Sequence, residues 1–225
     1  MINKYKENQI RNVQKMLFKK KKVFRNLTIE EVKAKTRVLF IDDEERKDII
    51  EYLSKSGWQC RQIYENDFDT LDNVDIIDSH IICVDINGVG EKLGKNNGLD
   101  VVSSIKNKSP TKKIIIYSSQ STQNIFHEAI DLADKKILKS AGDYEIFKNA
   151  IEDLAKIIFS WDEMVRDSYE KVKPYWTDDL TIEQYKRILE KVGTKKDFTV
   201  EQLTTILKVS LDVAKVIYQG VQLFI

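Results

Sequence analysis

Short apolar runs alternate with amphipathic segments through the middle of the chain. Five runs have the character of buried or half-buried strands, and they read RVLFI, WQCRQIY, HIICVDI, KKIIIYSS and KKILKS. The segments between them place apolar residues at helical spacing, as in ERKDIIEYLSKSG and GLDVVSSIKN. A longer amphipathic stretch begins near Asp143 and predicts a helix that continues towards Val172. This alternation predicts an α/β fold with a parallel sheet and right-handed crossovers.

The two ends of the chain carry a repeated helix-start pattern. The phrases TIEE, TIEQ and TVEQ begin at Thr28, Thr181 and Thr199. In such a capping box the Thr hydroxyl and the Glu or Gln side chain satisfy exposed amides of a new helix. The pattern predicts helices at about 29–35, 182–192 and 200–208, with Gly193 as the stop signal of the second.

Composition narrows the class of protein. The 225 residues are 42% hydrophobic and 32% charged, as in a globular chain. No apolar run is long enough to span a bilayer, and the charged first 25 residues do not resemble a signal peptide. Cys60 and Cys83 lack metal-binding spacing, and His80 and His127 stand alone, so we expect reduced thiols and no histidine metal site. These features predict a cytoplasmic protein.

The net charge of +1 conceals an uneven distribution. Residues 1–25 contain nine Lys or Arg and one acidic residue, Glu7, which gives this segment +8 and leaves −7 for the rest. A basic arm of this kind indicates an acidic partner, nucleic acid or an anionic membrane. A solvated helix packed on the rest of the molecule explains the same pattern, so both interpretations stay open.

Polar side chains follow four of the predicted strands. Asp42 and Asp43 follow the first, Asp85 ends the third, Ser118 ends the fourth and Lys139 ends the fifth. In a parallel sheet these ends share one edge, where ligands bind in open α/β folds. Taken alone, each residue has an ordinary explanation, since Asp is favoured at helix starts and Lys is usually solvated. Their joint occurrence at four strand ends indicates one site.

This arrangement resembles the receiver domain of two-component response regulators over about 36–159. The resemblance implies a flavodoxin-like five-stranded parallel sheet with strand order 2-1-3-4-5. It implies Mg²⁺ held by Asp42, Asp43, Asp85 and the backbone carbonyl of Asn87, with Asp85 also the phosphoacceptor. Ser118 would hydrogen-bond the phosphoryl group, and the Lys139 ammonium would pair with one of its oxygens. A divalent cation among the three carboxylates would explain why they tolerate one another.

Three positions depart from the family pattern. Val89 stands where the family usually has a proline, Lys136 replaces an aromatic residue, and Ser140 replaces the proline after Lys139. The loop NGVGEKLGKNNG is also longer than usual. These departures bring into question the family's coupling of phosphorylation to a buried aromatic side chain.

The C-terminal segment is strongly apolar. The sequence FTVEQLTTILKVSLDVAKVIYQG resembles a helix-turn-helix with its turn at 208–210, but Asp212 and Lys215 are the charged residues of its second helix. DNA recognition generally needs more basic or amide side chains, so we favour an αα-hairpin that packs or binds a partner. The apolar stripe that begins near Asp143 is too long to cover one face of a sheet. We expect its distal half to pack on the C-terminal helices or on a second chain, and region 174–225 to mediate self-association or docking.

These features predict three parts: a basic helical arm at 1–35, a receiver-like domain at 36–159 and a helical region at 160–225. We expect a phosphorylation-responsive signalling protein that takes its phosphoryl group from a histidine kinase or another phosphodonor. It would pass the signal to a protein partner or a homodimer, and its catalysis would be limited to its own phosphoryl uptake and loss. Two alternatives stay open: a degenerate receiver that acts as a phosphate-independent interaction scaffold, and a DNA-binding transcriptional regulator.

Overall fold

The computed structural model describes residue 24 and residues 27–64, 70–119, 127–139, 144–176, 180–194 and 198–224. The strands are β1 (Arg37–Ile41), β2 (Gln59–Ile63), β3 (Ile81–Asp85), β4 (Lys113–Ser118) and β5 (Lys135–Leu138). The helices around them are α1 (Ile29–Lys35), α2 (Lys47–Lys55), α3 (Val74–Asp78), α4 (Gly98–Lys108), α5 (Glu128–Leu132) and α6 (Tyr144–Phe159). The C-terminal helices are α7 (Trp161–Val172), α8 (Ile182–Thr194), α9 (Val200–Leu207) and α10 (Leu211–Gln222).

The five strands form one parallel sheet in the order β2-β1-β3-β4-β5. Val38 of β1 lies opposite Ile81 of β3, and Ile81 lies opposite Lys113 of β4. The residues of β3 and β4 are buried throughout, as expected of strands with helices on both faces. The flavodoxin-like fold class predicted from the sequence is therefore confirmed.

The two faces of the sheet contribute to separate cores. On one face, Phe40 and Tyr117 pack with Leu53 of α2 and Phe147 of α6. On the other face, side chains such as Ile116 pack with α4 and α5. Successive strand residues point to opposite faces, so both cores fix the same strands. The carboxyl ends of the strands consequently meet at one edge.

The expected helix starts are present. Thr28 with Glu31, Thr181 with Gln184 and Thr199 with Gln202 each form both hydrogen bonds of a capping box. However, α8 extends to Thr194, so the prediction that Gly193 ends it is wrong. A Cβ atom at Gly193 would lie 2.4 Å from the Phe24 ring, and glycine therefore allows this ring to approach the helix.

The long amphipathic stretch is two helices rather than one. Ser160 adopts an extended conformation (φ −95°, ψ 120°) and caps α7 by accepting a hydrogen bond from the Glu163 amide at 3.5 Å. The expected single helix towards Val172 is therefore wrong. Beyond the break, the apolar face of α7 packs on α8, α9 and α10 in a third core. The prediction that the distal half packs on the C-terminal helices is confirmed.

Two local features add to the sequence analysis. The polar segment before Asp78 includes the short helix α3, whose first amides are capped by the Asn73 side chain. The turn between α9 and α10 places Lys208 in the left-handed region, with φ 52°, where a helix-turn-helix usually has glycine. The hairpin therefore forms without that glycine.

Some predictions fall outside the described residues. They concern the basic arm at 1–23 and 25–26, the stretch 120–126, Ser140, the start at Asp143 and the final Ile225. Among the described helices, none is both long and apolar enough to cross a membrane. The division into 1–35, 36–159 and 160–225 stays a prediction.

Candidate functional site

Three carboxylates meet at the carboxyl edge of the sheet. Asp42 follows β1 and Asp85 ends the neighbouring β3, and the pairing of Ile41 with Val84 sets them side by side. One oxygen from each of Asp42, Asp43 and Asp85 lies within 4.8 Å of the others. Asp42 is fully buried and Asp85 is 3% exposed, whereas Asp43 is exposed. The cluster thus combines two desolvated acids with one that faces solvent.

The Lys139 ammonium joins this cluster from the end of β5. It hydrogen-bonds the carboxylate of Asp85 and lies 3.4 Å from Oδ2 of Asp42. The Lys139 amide donates to the Ser118 carbonyl at 2.6 Å, which holds the end of β5 against β4. The structure therefore brings the lysine to the carboxylates.

Ser118 and Asn87 lie at the same edge. The register pairs Asp85 with Tyr117, so Ser118 is one residue further along the neighbouring strand, and it is 1% exposed. The Asn87 amide lies 3.4 Å from Oδ1 of Asp85. All six residues named from the sequence are thus placed on one edge, while their roles stay predictions.

Two residues that the sequence analysis did not single out hold Asp42. Arg46 donates from Nε to Oδ2 at 2.5 Å and from Nη2 to Oδ1 at 3.2 Å, a bidentate geometry. The Tyr117 hydroxyl donates to Oδ2 at 2.7 Å, and the Glu44 amide donates to Oδ1 at 2.9 Å. The available signals were the four-residue spacing of Arg46 from Asp42 and the aromatic residue in the Ile-rich run KKIIIYSS.

These contacts add a second explanation of why the carboxylates tolerate one another. The sequence analysis assigned that task to a divalent cation. In the structure, the charges of Arg46 and Lys139 already lie beside Asp42 and Asp85. Both oxygens of Asp42 are also hydrogen-bonded, so Asp43 offers the more accessible carboxylate to a cation.

The two buried acids have opposite pKa shifts. Burial acts to raise the pKa of Asp42, but hydrogen bonds from Arg46, Tyr117 and the Glu44 amide together lower it below its ordinary value. Burial raises the pKa of Asp85, and the contact with Lys139 only partly offsets this. Burial and the neighbouring Asp42 raise the pKa of Tyr117 well above its usual range, so its hydroxyl stays a donor. In the folded chain, ionisation is thus favoured at Asp42 and disfavoured at Asp85.

The loop after β3 is shaped to admit the Asp43 carboxylate. Gly88 has φ +72°, and a Cβ atom on it would lie 2.2 Å from Oδ2 of Asp43. Any other residue would push the carboxylate away from the loop that carries Asn87. Oxygen ligands of this kind suit Mg²⁺, so the residues present fit this cation.

Two of the positions that depart from the family pattern lie among the described residues. Val89 is fully buried in the core, and Lys136 is exposed.

No family model matches the chain, and no curated protein matches its sequence. The solved structures with a similar fold include response regulators. The response regulator TrrA from Thermotoga maritima, solved in complex with Mg²⁺-BeF, is 23% identical, covers 53% of this chain and 98% of its own, and has a TM-score of 0.45.

Two further solved structures are similar in fold. RcsB from Salmonella enterica serovar Typhimurium, bound to a promoter in the presence of phosphomimetic BeF₃⁻, is 20% identical over 84% of this chain and 91% of its own, with a TM-score of 0.44. The chemotaxis protein CheY4 of Vibrio cholerae is 15% identical over 54% and 99%, with a TM-score of 0.43. At these identities the likeness is one of fold, which the strand order of the sheet establishes independently.

Proposed function

We propose that this chain is a phosphorylation-responsive signalling protein that accepts a phosphoryl group on Asp85 and passes the signal through its C-terminal helices to a protein partner. The observation that carries the proposal is the meeting of Asp42, Asp43, Asp85 and Lys139 at one edge of a parallel sheet. Such an arrangement suits phosphoryl transfer, because positioning and charge neutralisation supply most of its catalysis.

The proposed transfer forms one bond to phosphorus and breaks another. A carboxylate oxygen of Asp85 attacks the phosphorus atom of a phosphohistidine or an acyl phosphate. The bond from phosphorus to the donor nitrogen or oxygen breaks, and the donor leaves with its electron pair. The product is an aspartyl phosphate, and its hydrolysis returns Asp85 and inorganic phosphate.

The neighbouring side chains have separate tasks in this proposal. Lys139 would pair with a phosphoryl oxygen as negative charge develops, and the Ser118 hydroxyl would hydrogen-bond another. Asp42, Asp43, Asp85 and the Asn87 carbonyl would hold Mg²⁺, and Arg46 would orient the Asp42 carboxylate. When bound, Mg²⁺ supplies positive charge to the phosphoryl oxygens.

The C-terminal helices are the proposed route of output. Asp167 on α7 forms a 2.8 Å ion pair with the buried Lys113 at the start of β4. Lys113 also lies 3.4 Å from Asp134, which precedes β5. A shift of either strand on phosphorylation would therefore reach α7. We propose a protein or a second copy of the chain as the output partner, and an acidic partner, nucleic acid or anionic membrane for the basic arm.

Labelling by acetyl phosphate tests the phosphoacceptor. We expect intact-mass spectrometry to show one added phosphoryl group in the presence of Mg²⁺, and none on Asp85→Asn. Burial raises the pKa of Asp85, which means that its ionised carboxylate costs the folded state some stability, so the same variant should be more resistant to urea. Labelling that survives Asp85→Asn would refute the assignment.

Cation binding is tested separately by calorimetry without a phosphodonor. Gly88→Ala should weaken Mg²⁺ binding, because the new methyl group displaces the Asp43 carboxylate and the backbone has φ +72°. Gly220→Ala on α10 is the matched control, since a Cβ there makes an ordinary 3.5 Å contact with Met164. Equal Mg²⁺ affinity in both variants would remove Asp43 from the proposed ligand set.

Measurements of partner capture and of DNA binding, added to these experiments, separate the two alternatives. A chain that neither binds Mg²⁺ nor takes up phosphate, yet captures a partner, would be a phosphate-independent scaffold. Sequence-specific binding to duplex DNA by the full chain would favour the transcriptional regulator. The two charged residues named for the last helix, Asp212 and Lys215, lie 3.6 Å apart and offset each other, which gives that helix little charge for DNA.

A further inference from the structure

Three basic residues form a row at the amino edge of the sheet, opposite the carboxylates. Arg37 begins β1, His80 precedes β3 and Lys112 precedes β4. Backbone hydrogen bonds fix the row: the His80 amide donates to the Arg37 carbonyl at 2.9 Å, and the Lys113 amide donates to the His80 carbonyl at 3.2 Å. The parallel register therefore sets these three side chains side by side.

The row lines a cleft between the sheet and the C-terminal helices. The cavity has a volume of about 290 Å³, near the lower end of the range for ligand pockets. Its opposite wall is largely apolar and includes Ile157 of α6, Met164 of α7 and Ile217 of α10. One side of the cleft thus offers cations, and the other offers a surface that prefers an apolar group.

Arg37 and Lys112, the two residues of the row that are charged at pH 7, are oriented by carbonyl groups, although burial lowers the pKa of Lys112 to about 8. Lys112 donates to the carbonyls of Ile77 and Ser79 at 2.8 and 2.6 Å, and Nε of Arg37 donates to the carbonyl of Asp78 at 2.7 Å. Among the described residues, neither cation forms an ion pair with a carboxylate. Their mutual repulsion is offset in part by the exposed Asp78 at the rim.

The cleft is also lined by Asp78, Lys113 and Asp167. Lys113 and Asp167 pair with one another at 2.8 Å, and Asp78 partly offsets the charge of Lys112. Burial, together with Arg37 and Lys112, keeps His80 neutral near pH 7 by lowering its pKa to about 4. Arg37, Lys112 and Lys113 stand against Asp78 and Asp167, so the cleft keeps a net charge of +1 near pH 7.

We propose that this cleft binds a small organic anion with an apolar body, such as a medium-chain carboxylate. The anionic group would lie between Arg37 and Lys112 and relieve their repulsion, and the apolar body would lie against Met164 and Ile217. A charge-assisted hydrogen bond in a partly desolvated site is stronger than a neutral one, which favours an anion over its uncharged analogue. The site is independent of the acidic edge, so it does not rest on the proposed phosphoryl transfer.

Calorimetry with octanoate and octanamide on the full chain tests the proposal. The two probes share their shape and differ in charge, so we expect octanoate to bind about tenfold more tightly. Lys112→Gln keeps a donor for the two carbonyls but removes the charge, and it should weaken octanoate by about tenfold with little effect on octanamide. Lys156→Gln, on the exposed face of α6, is the matched control and should change neither affinity.

A second variant protects the test against loss of the fold. Gly220→Met, on α10 in the wall of the cleft, should weaken both probes alike because it fills space rather than removing charge. Circular dichroism and thermal unfolding establish that each variant is folded, and Arg37→Gln replaces Lys112→Gln if that protein unfolds. Equal affinity for the two probes, no binding of octanoate, or unchanged octanoate affinity in the folded charge variants would each overturn the proposal.

Discussion

Lowering the pH should destabilise the protein through His80. The ring is half-buried, and its Nδ1 accepts a hydrogen bond from the Arg37 amide at 3.0 Å, which requires the neutral form of that nitrogen. Burial and the charges of Arg37 and Lys112 lower the pKa of His80 from 6.5 to about 4. The folded state therefore favours neutral His80. This stabilisation is complete above pH 6.5 and is lost as the pH falls towards 4.

The size of the effect follows from the two pKa values. Linkage gives a loss of about 2 kcal/mol of unfolding free energy between pH 7 and pH 5 from this one group, and about 3 kcal/mol by pH 4. The window from pH 7 to pH 5 is the more informative, because most carboxylates stay ionised within it. Urea unfolding at several pH values, monitored by tryptophan fluorescence, measures the change.

Two histidine variants isolate this contribution. His80→Asn keeps an oxygen near the position of Nδ1 that can accept from the Arg37 amide, but it does not titrate in this range, so the dependence on pH should flatten by about 2 kcal/mol. His127→Asn, at the start of α5, is the matched control, since Asn is also a good helix cap. An identical slope for wild type and His80→Asn between pH 7 and pH 5 would refute the reasoning.

Two further predictions concern buried ion pairs. Arg46→Met should lower the unfolding free energy by about 2–3 kcal/mol in urea unfolding, because it removes the bidentate partner of the buried Asp42. Adding Asp42→Asn should recover part of this loss, because no buried charge is then left without a partner. A double variant whose loss equals the sum of the two single losses would contradict the prediction. Asp167→Asn should cost about 1–2 kcal/mol by removing one partner of buried Lys113. Asp162→Asn, whose partner lysine is exposed, should show no measurable change in the same titration.

The meeting of the carboxylates at one edge of the sheet could be predicted from the sequence, because parallel pairing places the carboxyl ends of all strands at the same edge. Apolar runs bounded by Asp42 and Asp85 become adjacent strands, and alignment of their ends follows from backbone pairing alone. The bidentate contact of Arg46 could not be predicted in the same way. A charge four residues after an aspartate usually lies in solvent, and only the burial of Asp42 makes the contact important. The contact of the Tyr117 hydroxyl with Asp42 could not be predicted either. Strand periodicity predicts which face of the sheet a side chain lies on, but it does not predict which group the end of that side chain contacts.

The break at Ser160 shows a different limit. Ser160 with Glu163 three residues later is itself a helix-start signal, but the apolar stripe keeps helical spacing across it. Periodicity therefore predicts one helix. Each half needs an apolar face, and the spacing of apolar residues does not show whether the two halves share an axis. The extended backbone of Ser160 gives the two halves different cores.

This third core changes where a partner is expected to dock. The apolar residues of the C-terminal helices are too hydrophobic to be left in water. The chain buries them in its own third core, where Trp161, Ile217 and Val221 are all buried. Removing residues 174–225 would expose the apolar face of α7, so a loss of assembly in that truncation would not by itself locate an interface. Ile206 and Leu211 flank the turn between α9 and α10 and are 48% and 43% exposed. Because these two side chains are not used by the core, they are the better positions at which to test self-association or docking, with the helices beneath them left intact.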